Sequence, residues 1–496
     1  MGPERRTNVW LPAIVAGAIL ASAAAAGGKD YYVSPEGTAA GEGSRARPLD
    51  LATALSAKSP ARPGDTVWLL GGTYRGKFTS RLKGTAEAPI TIRQAPGARA
   101  TIDCRTGQGD ALFTVDGEHT WFWGFEVTCS DPKRATKIAG SHPIDIRRGQ
   151  IHCIGSHIRF INLIVHDLAC GFGIWSGGTG GQIYGCLIYN NGWQGPDRGH
   201  GHAIYAQNKA GTKRLTDNVM FNQFGYGIHA YGSPRAFLKN FHVEGNVCFN
   251  SGSLSAGRTA PNILIGGGCP AEGVNVAKNF AWHDDLSASS VQLGYGKAIN
   301  KRLTVEGNYF VGAVHVRRWA DAVVRRNIFV GRGGLIALER PDGAGPKAYV
   351  WASNGYFAAG TREVFRLGGR RMALAGWRAK TGFDADSAFA PLPKATHVFC
   401  RPNRYEPGRA HVIVYNWASN KHVMLDLTAI LKVGAKYKIA HAQDFFGRAV
   451  VAGTFDGHGV KVPLAPVKPA APVGMAGAKL HPTGPKFNVF VILPTR

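Results

Sequence analysis

Carboxylates are scarce in this chain, with 32 Asp and Glu against 58 Lys and Arg and a formal net charge of +26. A field of that sign attracts polyanions, and the shortage of acids leaves few candidates for a metal cage or a catalytic carboxylate pair. Eight cysteines are present, yet no CxxC or Cys/His spacing occurs, which excludes a zinc module. No long uncharged apolar run follows residue 26, so stable membrane insertion is not expected. No nucleic-acid-binding module is recognisable either. The expected partner is therefore an acidic polysaccharide, not nucleic acid.

What the chain does have is a loosely repeated apolar motif between residues 172 and 338. FGIWSG, HAIYAQ, YGIHAYG, PNILIGG, SVQLGY, AVHVRRW and LIALER centre on Ile174, Ile204, Ile228, Ile263, Val291, Val314 and Ile336. Each alternates with period two and is rich in β-branched and aromatic residues, as strands are. Their spacing is too irregular for a helical repeat array. Turns such as Glu244-Gly245-Asn246 and Glu306-Gly307-Asn308 separate them, with Gly and Asn expected to supply the positive φ of coil corners. Self-similar strand units of this kind predict an all-β fold, a right-handed parallel β-helix.

Alternation then says which side chains face out. With Ile204 and Ala206 inward, one outward ladder reads Trp175, Tyr205, His229, Leu264, Gln292, His315 and Ala337. A second reads Gly177, Gln207, Tyr231, Gly266, Gly294, Arg317 and Glu339. Coils stack about 4.8 Å apart, so the ladders form a stripe suited to a linear polymer.

Residues 1–26 read as a signal peptide, with Arg5 and Arg6 before an apolar core and Ala24-Ala25-Ala26 at the cleavage site. The mature chain is expected to be secreted or periplasmic and monomeric. Residues 29–357 read as an N-terminal cap plus the β-helix, 358–402 as an exit segment, and 403–496 as a small antiparallel β-sandwich with a Pro/Gly/Ala loop at 465–478. Cys104 with Cys129 and Cys248 with Cys269 are about one coil apart, which suits either disulfide staples or inward stacks of thiols.

The block YYVSPEGTAAGEGSRARPLDLATAL, followed by PGDTVWLLGGTYRG and GTAEAPITIRQAPGARATID, resembles the opening of secreted proteins of the pectate-lyase-like β-helix superfamily, in particular the alginate lyase and chondroitinase B group. The resemblance covers residues 31 to 357 and implies the fold. It does not fix the reaction, because lyases, hydrolases, epimerases and adhesins share that fold. That lyase group's Lys base, Arg acid and acid-held calcium do not map here, since no Lys lies on the ladders. The polygalacturonase pattern does not map either: Gly199-His200-Gly201 is present, but Asp284-Asp285 follows it and no RIK occurs.

Chemistry concentrates in GPDRGHGHAIYAQN and YGIHAYG, which place His200, His202, Tyr205, Gln207, His229 and Tyr231 on adjacent coils. Eliminating across a uronate needs its carboxylate neutralised, its C5 proton removed and the leaving oxygen protonated. In that reading His229 or His202 is the base, Tyr231 or Tyr205 the acid, and Arg198 or Arg317 the neutraliser. Trp175, His200, Tyr205, Gln207, Gln292, His315 and Trp319 are expected to bind sugar. Three functions stay open. A polysaccharide lyase is favoured, followed by a glycoside hydrolase using Asp197 with Asp284 or Asp285, and by a non-catalytic binding or adhesion protein. No cofactor is required by the sequence. Calcium is the one metal considered, at Asp284 and Asp285 with Asp197 and Glu339.

Overall fold

The computed structural model describes residues 28–105, 111–256, 259–475 and 480–495; the signal-peptide reading falls outside them. Contacts divide the described chain into a larger unit that ends at Ala390 and takes in residues 472–475, and a smaller unit formed by Pro391–Ala471 and the stretch from Leu480 on.

The larger unit is a right-handed parallel β-helix with three faces. Among the described residues each face is a 12-stranded sheet, and successive coils contribute one strand to each. The first sheet runs from Asp30–Thr38 to Tyr349–Ala352, the second from Phe78–Ser80 to Arg370–Met372, the third from Gly72–Arg75 to Ala388–Ala390. Only the last pair of the second sheet, Phe365–Leu367 with Arg370–Met372, is antiparallel. A short helix, Leu51–Leu55, sits near the start, its N-terminus capped by Asp50, whose carboxylate accepts from Thr53 N.

Alternation builds the interior. Ile204, Ala206, Ile228, Ala230, Ile263 and Ile265 are fully buried. The corners use two devices. Asn190, Asn222 and Asn250 take positive φ at one of them. In the EGN turns, by contrast, Gly245 and Gly307 bend the chain, while the asparagine turns inward. Asn218, Asn246, Asn279, Asn308, Asn327 and Asn354 are buried, and each amide of this ladder bonds the next coil at 2.8–3.1 Å. Stacked amides with satisfied donors and acceptors fix coil register where no apolar contact would.

Two expectations need correction. The sheets continue past residue 357 through Phe365–Leu367, Arg370–Met372 and Ala388–Ala390, because the helical turn Leu374–Thr381 buries Trp377 against the last coil. Strand Thr396–Pro402, placed in the exit segment from sequence, pairs with Ala410–Asn416 in the smaller unit. Of the two cysteine readings left open, the inward thiols are what the structure has: all eight cysteines are free, most sit in the apolar interior, and burial pushes the thiols of Cys104, Cys153 and Cys248 up. The smaller unit is a five-stranded antiparallel sheet facing a two-stranded one, with Val412, Val414, Val462 and Phe490 between them.

Candidate functional site

The second sheet carries the outward ladder. Its register pairs Tyr205 with His229, Leu264, Gln292, His315, Ala337 and Arg366 in turn. One rung differs from the sequence reading: Phe172, not Ile174, pairs with Ile204, so Gly173 rather than Trp175 lies opposite Tyr205. A two-residue slip keeps every side chain on its face, so Trp175 still points outward. Its indole donates to His152 Nδ1 at 2.8 Å, and its ring lies 5.4 Å from that of Tyr205. Trp319 does not face the groove at all. Arg318 takes φ 53° and turns the chain, leaving Trp319 fully buried, with Nε1 donating to Leu293 O at 3.0 Å.

His202 and His229 meet directly. The distance from His202 Nε2 to His229 Nδ1 is 3.0 Å, and the backbone N–H of Tyr226 donates to His202 Nδ1 at 3.1 Å. That backbone donor settles the tautomers of a neutral pair. His202 Nδ1 must accept, so its proton is on Nε2; it passes into a bond accepted by His229 Nδ1, and His229 keeps its own proton on Nε2. Both rings stay neutral. Burial lowers the pKa of His202 to about 3, aided by the charges of His200 and Arg198, and holds that of His229 well below the ordinary value, aided by His202 and Arg198.

Glycine makes this approach possible. A Cβ on Gly225 would lie 2.5 Å from Gly201 O and 2.7 Å from His202 Nδ1, so only glycine lets Tyr226 N–H reach the imidazole.

Tyrosines surround His229. Tyr226 lies at 4.4 Å between ring centroids, Tyr231 stacks at 4.8 Å, and Tyr205 meets it edge-on at 5.2 Å. Burial raises the pKa of Tyr205 to about 12. It raises that of Tyr226 too, against the opposing field of Arg198. Tyr295 extends the group, 5.9 Å from Tyr231. Gln207 is at the edge, its amide donating to Tyr231 O at 3.3 Å. Below Trp175, buried Lys213 donates to the carbonyls of Trp175 and Gly178; burial lowers its pKa to about 8.

Tyr226, Tyr295 and His152 were missed from sequence. Tyr226 and Tyr295 follow Gly225 and Gly294, corners at which period-two counting stops working, and His152 lies one coil before the first recognised motif. A tyrosine directly after a corner glycine was the available signal.

His200 stands apart from the ladder. It lies on the hairpin Trp193–Gln194 and Gly199–His200, stacked on Trp193 at 4.0 Å and bonded to Asp197 at 3.0 Å. Arg198, half exposed on the same hairpin, pairs with Asp197 at 2.7 Å. The loop beginning at Ser251 braces this hairpin: Ser255 Oγ accepts from Gly199 N and Gln194 Oε1 accepts from Ala256 N. Gln292, His315 and Arg317 are on the ladders but further along. His315 is three rungs from His229, about 14 Å at the coil spacing, and Arg317 pairs with Glu339 at 2.9 Å.

Three of the four carboxylates considered for calcium are engaged within the protein. Asp197 is engaged by His200 and Arg198, Asp285 caps its own turn through Ser287, and Glu339 pairs with Arg317. Among the described residues no group of three or more His, Cys, Asp or Glu converges as a metal site would require. No described helix is long and apolar enough to cross a membrane.

The coil register, the inward asparagine ladder and the outward aromatic face define a right-handed parallel β-helix of the pectate-lyase-like kind. Residues 31–259 match the family model of the Pel9A-like right-handed β-helix region; this stretch includes the opening block that resembles the alginate lyase group. Pectate lyase L of Thermoclostridium stercorarium is 33% identical over 120 residues, which is 23% of this chain and 9% of that protein. Pectate disaccharide-lyase of Dickeya chrysanthemi is 29% identical over 134 residues, 26% of this chain and 15% of that protein. The chain thus spans only a small part of the length of either curated relative. The crystal structure of pectate lyase Pel9A superposes with a TM-score of 0.42 at 19% identity, covering 70% of this chain and 79% of that one.

Proposed function

We propose that the protein is an exported carbohydrate-active enzyme, a polysaccharide lyase that cleaves an acidic, uronate-containing polymer by β-elimination along the outward face of the second sheet. One observation carries this reading: the hydrogen-bond chain from Tyr226 N–H through His202 to His229, set among three phenols. Arg198 supplies positive charge beside it in a strongly basic chain.

The roles follow from the protonation states. His229 presents Nε2–H and stays neutral, so it donates to the uronate carboxylate and to the charge that builds there as the C5 proton leaves. Arg198 neutralises the same group. The lone pair of His229 Nδ1 is occupied by His202, so the base falls to a phenol. Burial keeps the Tyr226 phenol protonated at rest, with Arg198 opposing that shift, so Tyr226 first releases its proton to solvent and its phenolate, beside Arg198, then takes the C5 proton. Tyr231, stacked on His229, protonates the leaving oxygen. Hydrolysis is less well served. It needs two carboxylates bracketing the bond, whereas the rungs beside His229 carry Tyr205, Leu264 and Gln292, and Asp197 is engaged elsewhere.

The test is absorbance of unsaturated uronate with the mature protein. Pectate comes first, since both curated relatives are named for it, then alginate, glycosaminoglycans and glucuronan. A rise that disappears in His229→Ala and Tyr226→Phe is expected. New reducing ends without that absorbance would overturn elimination in favour of hydrolysis, and neither signal from any polymer would overturn the enzymatic reading.

A further inference from the structure

At its C-terminal end the same outward face changes character. Beyond Gln292 the ladder reads His315, Ala337 and Arg366, with Arg317 and Glu339 on the neighbouring column. These residues line a depression of about 500 Å³, closed by the turn Gly368-Gly369. Both glycines have positive φ, and the turn folds the last strand back so that Arg371 lies directly opposite Arg366.

The charges there do not cancel. Glu339 pairs with Arg317 at 2.9 Å and reaches Arg318 only at 3.9 Å. Arg366 has no ion-pair partner among the described residues and faces another arginine across the hairpin. Like charges directly opposite on an antiparallel pair destabilise it, so an unbalanced pair at the mouth of a depression calls for an anion from outside. Ala337, between His315 and Arg366, leaves room for that anion. His315 is held neutral by burial and by the charges of Arg366 and Arg317, which leaves it a hydrogen-bonding group and not a further cation.

We propose that His315, Arg317 and Arg366 form a carboxylate-binding subsite for a uronate residue of the polymer whose bond is cut at His229. The inference rests on the lyase reading for its location and deepens it. The substrate must carry acid groups on successive sugars and must be long enough to span from His229 to His315. Arg317 is thereby moved from the scissile bond to a distal positioning role.

Size-defined oligogalacturonates, as free acids and as methyl esters, are the probes, with Arg366→Ala and Arg366→Lys as variants. Arg366 is exposed, so both variants are expected to fold. For octamers and polymer, Arg366→Ala should raise KM about tenfold with kcat unchanged. Dimers and trimers should be indifferent to it, and Arg366→Lys should recover part of the loss. Methyl esterification should weaken octamer binding to the wild type and abolish the difference between wild type and Arg366→Ala. Equal affinity of the two proteins at every chain length would overturn the subsite while leaving the lyase reading intact. Calorimetry separates the opposite case. Octamer binding that depends on Arg366, without turnover, supports the subsite and defeats the lyase reading, and absence of any octamer binding overturns the subsite.

Discussion

Replacing His202 by Phe separates the two histidines of the pair. The substitution keeps ring volume but removes the acceptor for Tyr226 N–H and the donor to His229, bonds of 3.1 and 3.0 Å. Each ordinary hydrogen bond contributes about 1 kcal/mol, so about 2 kcal/mol of stability should be lost. His229 remains in place among its tyrosines, but its proton is free to sit on either nitrogen. A donor present only part of the time should lower kcat about tenfold, equivalent to about 1.4 kcal/mol of barrier. His229→Phe removes the donor itself and should cost about 100- to 1000-fold in kcat, the usual effect of deleting one donor to a developing oxyanion. Initial rates of unsaturated-uronate formation and denaturant unfolding read the two effects separately. Nitrogen-15 correlation spectra should show Nε2–H for His229 in the wild type and a tautomer mixture in His202→Phe. A wild-type Nδ1–H tautomer, or a His202→Phe loss as deep as that of His229→Phe, would refute the reasoning, since His202 would then handle the substrate proton itself.

Gly225→Ala places a methyl 2.7 Å from His202 Nδ1 and should reduce kcat by more than tenfold while KM for short oligomers changes little; unchanged kcat would show that the Tyr226 contact is not needed. Asn279→Ala cuts the amide ladder, leaving its neighbours' polar atoms unpaired in the interior, and should destabilise the β-helix by about 3 kcal/mol in urea unfolding without altering the spectrum of the folded state. The stability profile should fall on both sides of neutrality. Below about pH 6.5 the unfolded chain binds protons that buried His202, His229 and His283 refuse, so stability declines on acidification by up to about 1.4 kcal/mol per pH unit for each. His166 works the other way. Burial opposes its charge, but hydrogen bonds to Asp167 and Glu126 raise its pKa to about 9. Its contribution is therefore full below the unfolded value and lost as pH rises toward 9, and His166→Gln should flatten that alkaline limb.

Much of the fold was legible because a parallel coil buries one side of every strand. Ile204, Ile228, Ile263 and Val291 recur with the period-two alternation that a half-buried strand requires. Register along the coil was legible only to within two residues. Phe172 and Ile174 are both apolar and both inward, so alternation alone does not say which of them pairs with Ile204. The asparagines of the EGN turns were misread for a related reason. A residue type that suits positive φ also suits a buried amide stack, and only the three-dimensional stacking of Asn246 on Asn279 and Asn308 distinguishes the two.

The site was legible where it lay within strands and hidden where it lay at corners. His229 and Tyr205 fall on the alternation, and sequence placed them together. Trp319 lies past Arg318, whose positive φ inverts the count and sends the indole into the core. Tyr226 owes its place to Gly225 and Gly227, whose missing side chains leave room for the carbonyls of Gly201 and Asn262 on the neighbouring coils. The proposed chemistry departs from the sequence expectation for a subtler reason. Composition names a histidine as a base, but which nitrogen is available depends on a backbone N–H contributed by another coil. In the proposed reading that donor reverses the role at His229: the ring gives a hydrogen bond to the groove instead of taking a proton. In a stacked solenoid the partner that sets a side chain's protonation comes from the next coil, so the reactive state of a rung belongs to the pair of rungs and not to either sequence motif alone.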